Sequence, residues 1–428
     1  MKIQNFDALA TTPLRKDALM IAEAGLEAID TAQAVKDGVR LDGDTLSILD
    51  QKFPLAGVKQ IWVAAVGKCS FAASEELEEV LGERLAGGVA IGVHAPGTFK
   101  KIKAFQGTHP MPSEENVVAT KALVAMLRKR DESDLVIFVI SGGGSTLLSM
   151  PAHVGYEEET KIVHTLFSAG ATIEELNVIR KHLSLARGGY LAEYAYPARS
   201  VALIFSDVVG NDIQYVSSGP TVKDETTIEE AEAIMTKYDV QKLGDLADCQ
   251  FVKTPKEDKF FENMTNVLFV SNEMALKAME KKAAELGYSA RVCDTFLSGE
   301  ASKVGVRIAN EIAEAYPKTA FLYGGETTVT IRVPGKGGRC QELALAAIPH
   351  IAQGQLILPF ASDGRDNTDI AGVICDTIAK EKAETLGISP REYLDQNCSY
   401  HFFETVDGQV VTGDTGSNVS DLIVALKG

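Results

Sequence analysis

Residues 135–146 read LVIFVISGGGST, an unbroken apolar run that passes straight into serine, three glycines, serine and threonine. A strand with no polar alternation is one buried on both faces, which is the habit of parallel sheets covered by helices. Three successive glycines remove every Cβ from the turn that follows, so backbone N–H groups can close on an anion or the chain can turn sharply into a helix. This stretch predicts a strand–turn–helix unit of an open α/β sheet.

Working outward, similar runs stand at 61–66, 89–93, 201–205, 267–270, 290–293, 320–323, 327–333 and 356–361, with helical patterns at 70–84, 116–129, 273–286 and 300–315 between them. Strand–helix–strand alternation predicts an α/β protein with a mainly parallel, Rossmann-like sheet in its N-terminal lobe and a second α/β lobe after it. The charged, weakly periodic stretch 237–265, with Pro255, suggests a junction near 245–265. The expected domains are therefore 1–250 and 251–428. The first sixty residues read as a helix over 15–34 and then a polar turn, able to pack on either lobe.

At 428 residues, two or three cores of roughly 150 residues each are expected. No apolar run approaches the ~18 residues of a membrane span, and no secretory leader is legible, so a cytoplasmic protein is expected. Six cysteines, at 69, 249, 293, 340, 375 and 398, lack CxxC or zinc spacing and read as free thiols. The net charge of −17, from 42 basic and 59 acidic residues, argues against a nucleic-acid or anionic-membrane partner. An acidic protein that binds an anion must gather its cations locally, which directs attention to basic residues in glycine loops.

Ligands of open parallel sheets collect outside the carboxyl ends of strands. The run 61–66 ends at Gly67 and Lys68; a lysine there can meet phosphate as a point charge, or simply stand in solvent at a helix start. Ser141, Gly142, Gly143, Gly144 and Ser145 form the candidate phosphate cradle, with a ligand-free tight turn as the alternative. Asp207, after 201–205, suits a divalent cation or a base, or caps its own turn; Asp212 is equally open. In 173–189, Asn177, Arg180 and Lys181 are candidates for a substrate carboxylate, although a surface lattice with Glu174 and Glu175 also explains them. His182 reads as structural. Further on, Gly325, Glu326 and Asp363 lie in loops at strand ends and are candidates for nucleotide or phosphate binding, with plain polar turns as the alternative; Arg339, delivered by a glycine loop, can stabilise a transferring phosphoryl group. Neither G-x-x-x-x-G-K-[ST] nor a strand-borne G-x-G-x-x-G occurs, so P-loop and ordinary nicotinamide sites are unsupported.

Taken in order, SGGGSTLL, NVIRKHLSLARGG, SDVVGND…SSGPT, GGETTVTI, GGRCQELAL, SDGRDNTDIAG and TGDTGSNVSDL resemble the motif series of the class II glycerate 2-kinases, which carry a C-terminal MOFRL domain. The resemblance spans roughly residues 10–425. It implies two α/β domains with a cleft between them, ATP and Mg²⁺ (or another divalent cation), and D-glycerate converted to 2-phosphoglycerate. It also implies that Lys68 and Arg339 are the family's key cations; Asp207 is the expected catalytic residue and metal ligand from its own place after a strand. The small acid and ATP would be its partners, in a monomer or homodimer. Cys340, Arg365, Asn367 and Asp414 depart from the usual motifs. The competing functions are a kinase for another hydroxy or sugar acid, a hydroxypyruvate reductase, and a nucleotide-binding regulator without turnover.

Overall fold

The computed structural model describes residues 1–208, 210–240 and 250–428, in two compact units, 34–269 and a discontinuous one of 1–33 with 270–428. This differs from the expected 1–250 and 251–428 at both ends. Cys249 and positions 245–249 of the expected junction lie outside the described residues. No disulfide joins the described cysteines, and no described helix is long and apolar enough to cross a membrane.

The unit 34–269 begins with an antiparallel meander, β1 (Val39–Asp42), β2 (Thr45–Ile48) and β3 (Gln51–Pro54), where only a polar turn was expected. Its main sheet holds β4 (Gln60–Val66), β5 (Leu85–Gly92), β6 (Ile102–Gln106), β7 (Asp134–Ser141), β8 (Arg199–Phe205) and β9 (Met264–Val270) in the order β6-β5-β4-β7-β8-β9. The pairings β4–β5, β4–β7, β5–β6 and β7–β8 are parallel. All eight residues of β7 are buried, as the opening run predicts. Alternate residues Ala64, Val66, Val136, Phe138, Ile140, Ala202 and Ile204 share one core with Leu123 and Leu127 of the helix Glu114–Leu127. That is the period-2 arrangement of a sheet face packed on a helix.

The strand order has a mechanical consequence. From β4 the chain steps outward through β5 and β6, then crosses back to β7 and steps the other way through β8 and β9. The reversal lies between β4 and β7, so their carboxyl ends flank the crevice where open α/β sheets bind ligands.

The second unit is built differently. Its sheet runs β10 (Ser289–Leu297), β11 (Thr319–Gly325), β16 (Asp421–Lys427), β12 (Gln355–Ala361), β13 (Gly372–Val373) and β15 (Gln409–Val410), with β14 (Cys375–Asp376) also against β12. β10 and β11 are parallel, but β16 is antiparallel to both β11 and β12. The expected strand 327–333 does not form; Thr328 makes one isolated bridge to Glu300. The stretch stays largely exposed, and the Thr330 hydroxyl donates to Glu300 at 2.9 Å.

The N-terminal segment packs into this second unit. Thr12 caps the helix Pro13–Ala28, its side chain accepting from the backbone N–H of Arg15, with Pro13 at the first helical position. Arg15 then forms a buried fork with Asp376, at 2.6 and 2.9 Å. At Gly25 the helix approaches the helix Asn272–Glu285 so closely that a Cβ would lie 2.7 Å from Met279 Cγ.

Candidate active site

Gly67, just past β4, has φ +119°, and a Cβ there would stand 2.0 Å from Ser141 Oγ. Only glycine relieves both constraints. The close approach lets the two strand ends hydrogen-bond: Lys68 N–H donates to the Gly142 carbonyl at 2.9 Å and Cys69 N–H to Ser141 Oγ at 3.3 Å. Lys68 is thereby presented, exposed, beside the glycine loop.

Gly142 is fixed by a different neighbour. A Cβ at 142 would lie 2.0 Å from Oδ2 of Asp207, so the carboxylate arriving from the end of β8 rests against bare backbone. The loop is held from behind by Ser217, whose hydroxyl donates to the Ser141 carbonyl at 2.7 Å, and by Ser218, 2.9 Å from Ser145 Oγ. Ser217 and Ser218 both have left-handed backbone, φ +53° and +59°. Non-glycine residues hold that conformation at a cost of order 1–3 kcal/mol, and such strain concentrates at functional loops. The structure thus brings Lys68, Ser141, Gly142, Gly143, Gly144, Ser145 and Asp207 together at the switch point.

His109 belongs to the same neighbourhood and was not anticipated. Its Cδ2 would lie 3.3 Å from a Cβ at Gly143, as would Cγ of Lys68. Burial, reinforced by the Lys68 charge, holds its imidazole below the ordinary value, which favours the neutral ring. The signal available in the sequence was a lone histidine before proline in GTHPMP, too common a pattern to single out.

The helix Ile173–Leu183 starts with a capping box between Thr172 and Glu175. Its three candidates part company. Asn177 accepts from Ser218 Oγ at 2.7 Å and donates to the Ile173 carbonyl at 2.9 Å, so it braces the serine pair. Lys181 points away into a buried ion pair with Asp224, at 3.0 Å. Asp224 also accepts from Thr226 and Thr254, at 2.8 and 2.9 Å. Burial raises its carboxyl, but Lys181 and these donors outweigh burial and hold it below the usual range. Lys181 is therefore a structural cation, a correction to its expected place at the substrate. His182 bonds the Val252 carbonyl and Thr226, structural as expected. Arg180 alone lines a cavity.

In the second unit, Arg339 opens the helix Arg339–Ala347. Asp366 accepts from the N–H groups of Cys340 (3.2 Å) and Gln341 (2.9 Å), so a carboxylate of the chain already caps this helix start. Arg339 forks onto Asp421 at 2.5 and 3.0 Å and reaches Glu326 at 2.5 Å. Asp421, absent from the sequence-based candidates, is there because β16 runs backwards: its first residue sits in register with Gly325 and Ala361, the last residues of β11 and β12. Burial lifts its carboxyl to about 7 despite the contact with Arg339, helped by neighbouring Asp366 and Glu326. Gly325, with φ +151°, packs on the backbone of Leu297, and Asp363 accepts from the Arg365 N–H at 3.0 Å.

No three acidic, histidine or cysteine side chains gather as a metal cage among the described residues. Mg²⁺ commonly takes one or two carboxylates and completes its shell with phosphate oxygens and water. Asp207, whose carboxylate rests against Gly142 of the loop, fits that manner of binding.

A doubly wound sheet with a glycine loop, a lysine and a carboxylate at its switch point is the arrangement in which open α/β proteins hold nucleotides and phosphates. Residues 17–247 match the domain of unknown function DUF4147, and residues 319–421 match the MOFRL family. The chain is 34% identical to a glycerate 2-kinase of Pyrococcus horikoshii over 96% of this chain and 97% of that one. It is 32% identical to a D-glycerate 2-kinase of Thermotoga maritima over 96% and 98%. The crystal structure of a glycerate kinase from Thermotoga maritima superposes with a TM-score of 0.86 at 32% identity, covering 96% of this chain and 99% of that one. The chain belongs to the glycerate 2-kinase family.

Proposed function

We propose that this protein is an ATP-dependent kinase that phosphorylates D-glycerate at its 2-hydroxyl, giving 2-phosphoglycerate and ADP. The observation that carries the reading is the Ser141–Ser145 loop at the β4/β7 switch point, with Lys68 beside it and Asp207 against Gly142. Membership of the glycerate 2-kinase family supports the same reading and supplies the acceptor.

In this reading the backbone N–H groups and hydroxyls of the loop hold nucleotide phosphate, and Lys68 neutralises its charge. The acceptor hydroxyl oxygen bonds to the γ-phosphorus as the bond to the β,γ-bridging oxygen breaks, ADP leaves with that electron pair, and the hydroxyl proton is released. Such transfers pass through a loose transition state, so the protein contributes positioning and charge neutralisation. Arg339 takes a share of the developing phosphoryl charge, and Gly325, Glu326 and Asp363 shape its surroundings. A divalent cation, if held by Asp207, would supply further neutralisation of phosphate charge. Arg180 receives the acceptor carboxylate, while Asn177 braces the serines behind the loop.

A coupled ADP-release assay over a panel of small hydroxy acids is the direct test. Glycerate-dependent ADP release, with 2-phosphoglycerate as product, is expected; release with no acceptor dependence would defeat the reading.

A further inference from the structure

Asn397 follows the helix Pro390–Asp395 by two residues and has left-handed backbone, φ +50°. Asparagine tolerates that conformation, so the turn by itself accounts for the residue type. It does not account for what the buried side chain holds. Oδ1 of Asn397 accepts from the backbone N–H groups of Arg332 at 2.8 Å and Val333 at 3.4 Å. Its Nδ2 donates to the Thr330 carbonyl at 3.3 Å and to Oε2 of Glu342 at 3.2 Å. Every donor and acceptor position of the carboxamide is thus in use.

One side chain therefore ties residues 330–333 to Glu342, and Arg339 lies on the stretch of chain so enclosed. Glu342 stands three positions past Arg339 in the helix Arg339–Ala347, the spacing of neighbours on a helix surface. The glycine loop between is docked on the turn that carries Asn397. The Tyr400 N–H donates to the Lys336 carbonyl at 3.1 Å, and Asn367 Nδ2 donates to the Gly337 carbonyl at 3.0 Å. A Cβ at Gly335 would collide with the carbonyls of Gln396 and Asn397, and one at Gly337 with the Ser399 hydroxyl. The guanidinium of Arg339 is aimed by Asp421; Asn397 holds the backbone on either side of it.

We propose that Asn397 is a positioning residue for phosphoryl transfer: it sets the path of the loop that delivers Arg339 and, through Glu342, the seat of the helix that Arg339 opens. The inference rests on the kinase reading, in which Arg339 takes a share of the migrating charge. Stabilisation of that kind depends on donors placed before the charge develops, and a misplacement of about 1 Å costs about 10²-fold in rate. Loss of the clamp therefore acts on the chemical step and leaves ground-state binding nearly alone. A side chain that only held the fold together would act on stability and leave turnover per folded molecule unchanged.

The test uses the full chain and three variants, with turnover followed by ADP release. Asn397→Gly keeps the left-handed backbone and deletes the clamp. Asn397→Asp keeps an acceptor for the two N–H groups but sets a second carboxylate oxygen against Glu342. Adding Glu342→Gln to it lets the introduced amide donate to the introduced carboxylate, the same bond with donor and acceptor exchanged. Both single variants should lose about 10- to 100-fold in kcat, with KM for ATP and for glycerate within about threefold of wild type. The double variant should regain about fivefold or more over Asn397→Asp. A kcat within about twofold of wild type in folded Asn397→Gly would overturn the proposal. If that variant does not fold, a double variant no faster than Asn397→Asp overturns it instead. Wild-type protein that turns over no glycerate sinks the kinase reading, and labelling then decides the clamp by itself. Phenylglyoxal, read by peptide mass spectrometry, should modify Arg339 about threefold faster or more in Asn397→Gly, the scale on which a partly exposed ion pair holds its arginine. Equal rates of modification would show that Asn397 does not position Arg339.

Discussion

The guanidinium of Arg339 is forked onto the carboxylate of Asp421, with Nε at 2.5 Å and the second contact at 3.0 Å. The arginine proposed for phosphoryl transfer is thus oriented by the first residue of a strand 82 positions away in sequence. Glu326 takes its remaining terminal nitrogen. An arginine so held is aimed without a rotamer search, but its charge is partly answered before substrate arrives.

Arg339→Ala should lower kcat by about 10³-fold or more, with a smaller change in KM, because the lost contact matters most when charge migrates. Arg339→Lys should recover little, since an ammonium cannot reproduce the fork. Steady-state ADP release measures both. A near-normal kcat in the alanine variant removes Arg339 from the transfer step.

Asp421 predicts a pH signature. Its carboxyl sits at about 7 in the folded protein, against an ordinary 3.8. The folded state therefore holds one more proton than the unfolded chain between these values. The contribution of this group to stability is full below about pH 4 and is lost as pH rises through 7. Asp421→Asn should flatten that part of the profile of Tm against pH; an unchanged slope counts against the raised carboxyl. Asp421→Ala should cost about 2 kcal/mol, between the values for buried and exposed pairs because Arg339 is one-third exposed.

Gly142→Ala places a methyl group 2.0 Å from Asp207 Oδ2 and 2.7 Å from its Cγ. The carboxylate must move, at a cost of about 1–3 kcal/mol for such overpacking. KM for ATP should rise about tenfold while the melting transition stays cooperative. Unaltered ATP kinetics would show that the Gly142–Asp207 contact is not part of the nucleotide site.

Lys181→Met isolates the structural role of the buried pair with Asp224. Both side chains are almost fully enclosed, so removing one partner should destabilise the fold by about 3–5 kcal/mol. KM for the acceptor, measured on the folded fraction, should stay within twofold. A large rise in that KM, without loss of stability, would return Lys181 to the substrate site.

The glycine loop was legible because its signal is local: a fully buried strand, three glycines and flanking hydroxyls lie within twelve residues. Lys68 and Arg339 were legible for the same reason, each beside glycine at the start of a helix. The strand expected at 327–333 failed because alternation describes a residue's faces but not whether the backbone meets a partner strand. Lys181 and Arg180 are neighbours in sequence, yet one enters a buried pair and the other a cavity wall. One residue along a helix turns the side chain by about 100°, and a run of basic residues does not reveal which face is buried.

Local chemistry in the chain determined the α/β class, the parallel first sheet and the positions of its glycine turns, since these depend on neighbours a few residues apart. Tertiary structure alone decided that residues 1–33 join the second unit, that β16 runs antiparallel at the heart of its sheet, and that Asp421 therefore meets Arg339. Such pairings follow from which surfaces remain to be covered once the rest of the chain has packed, a property of no single segment.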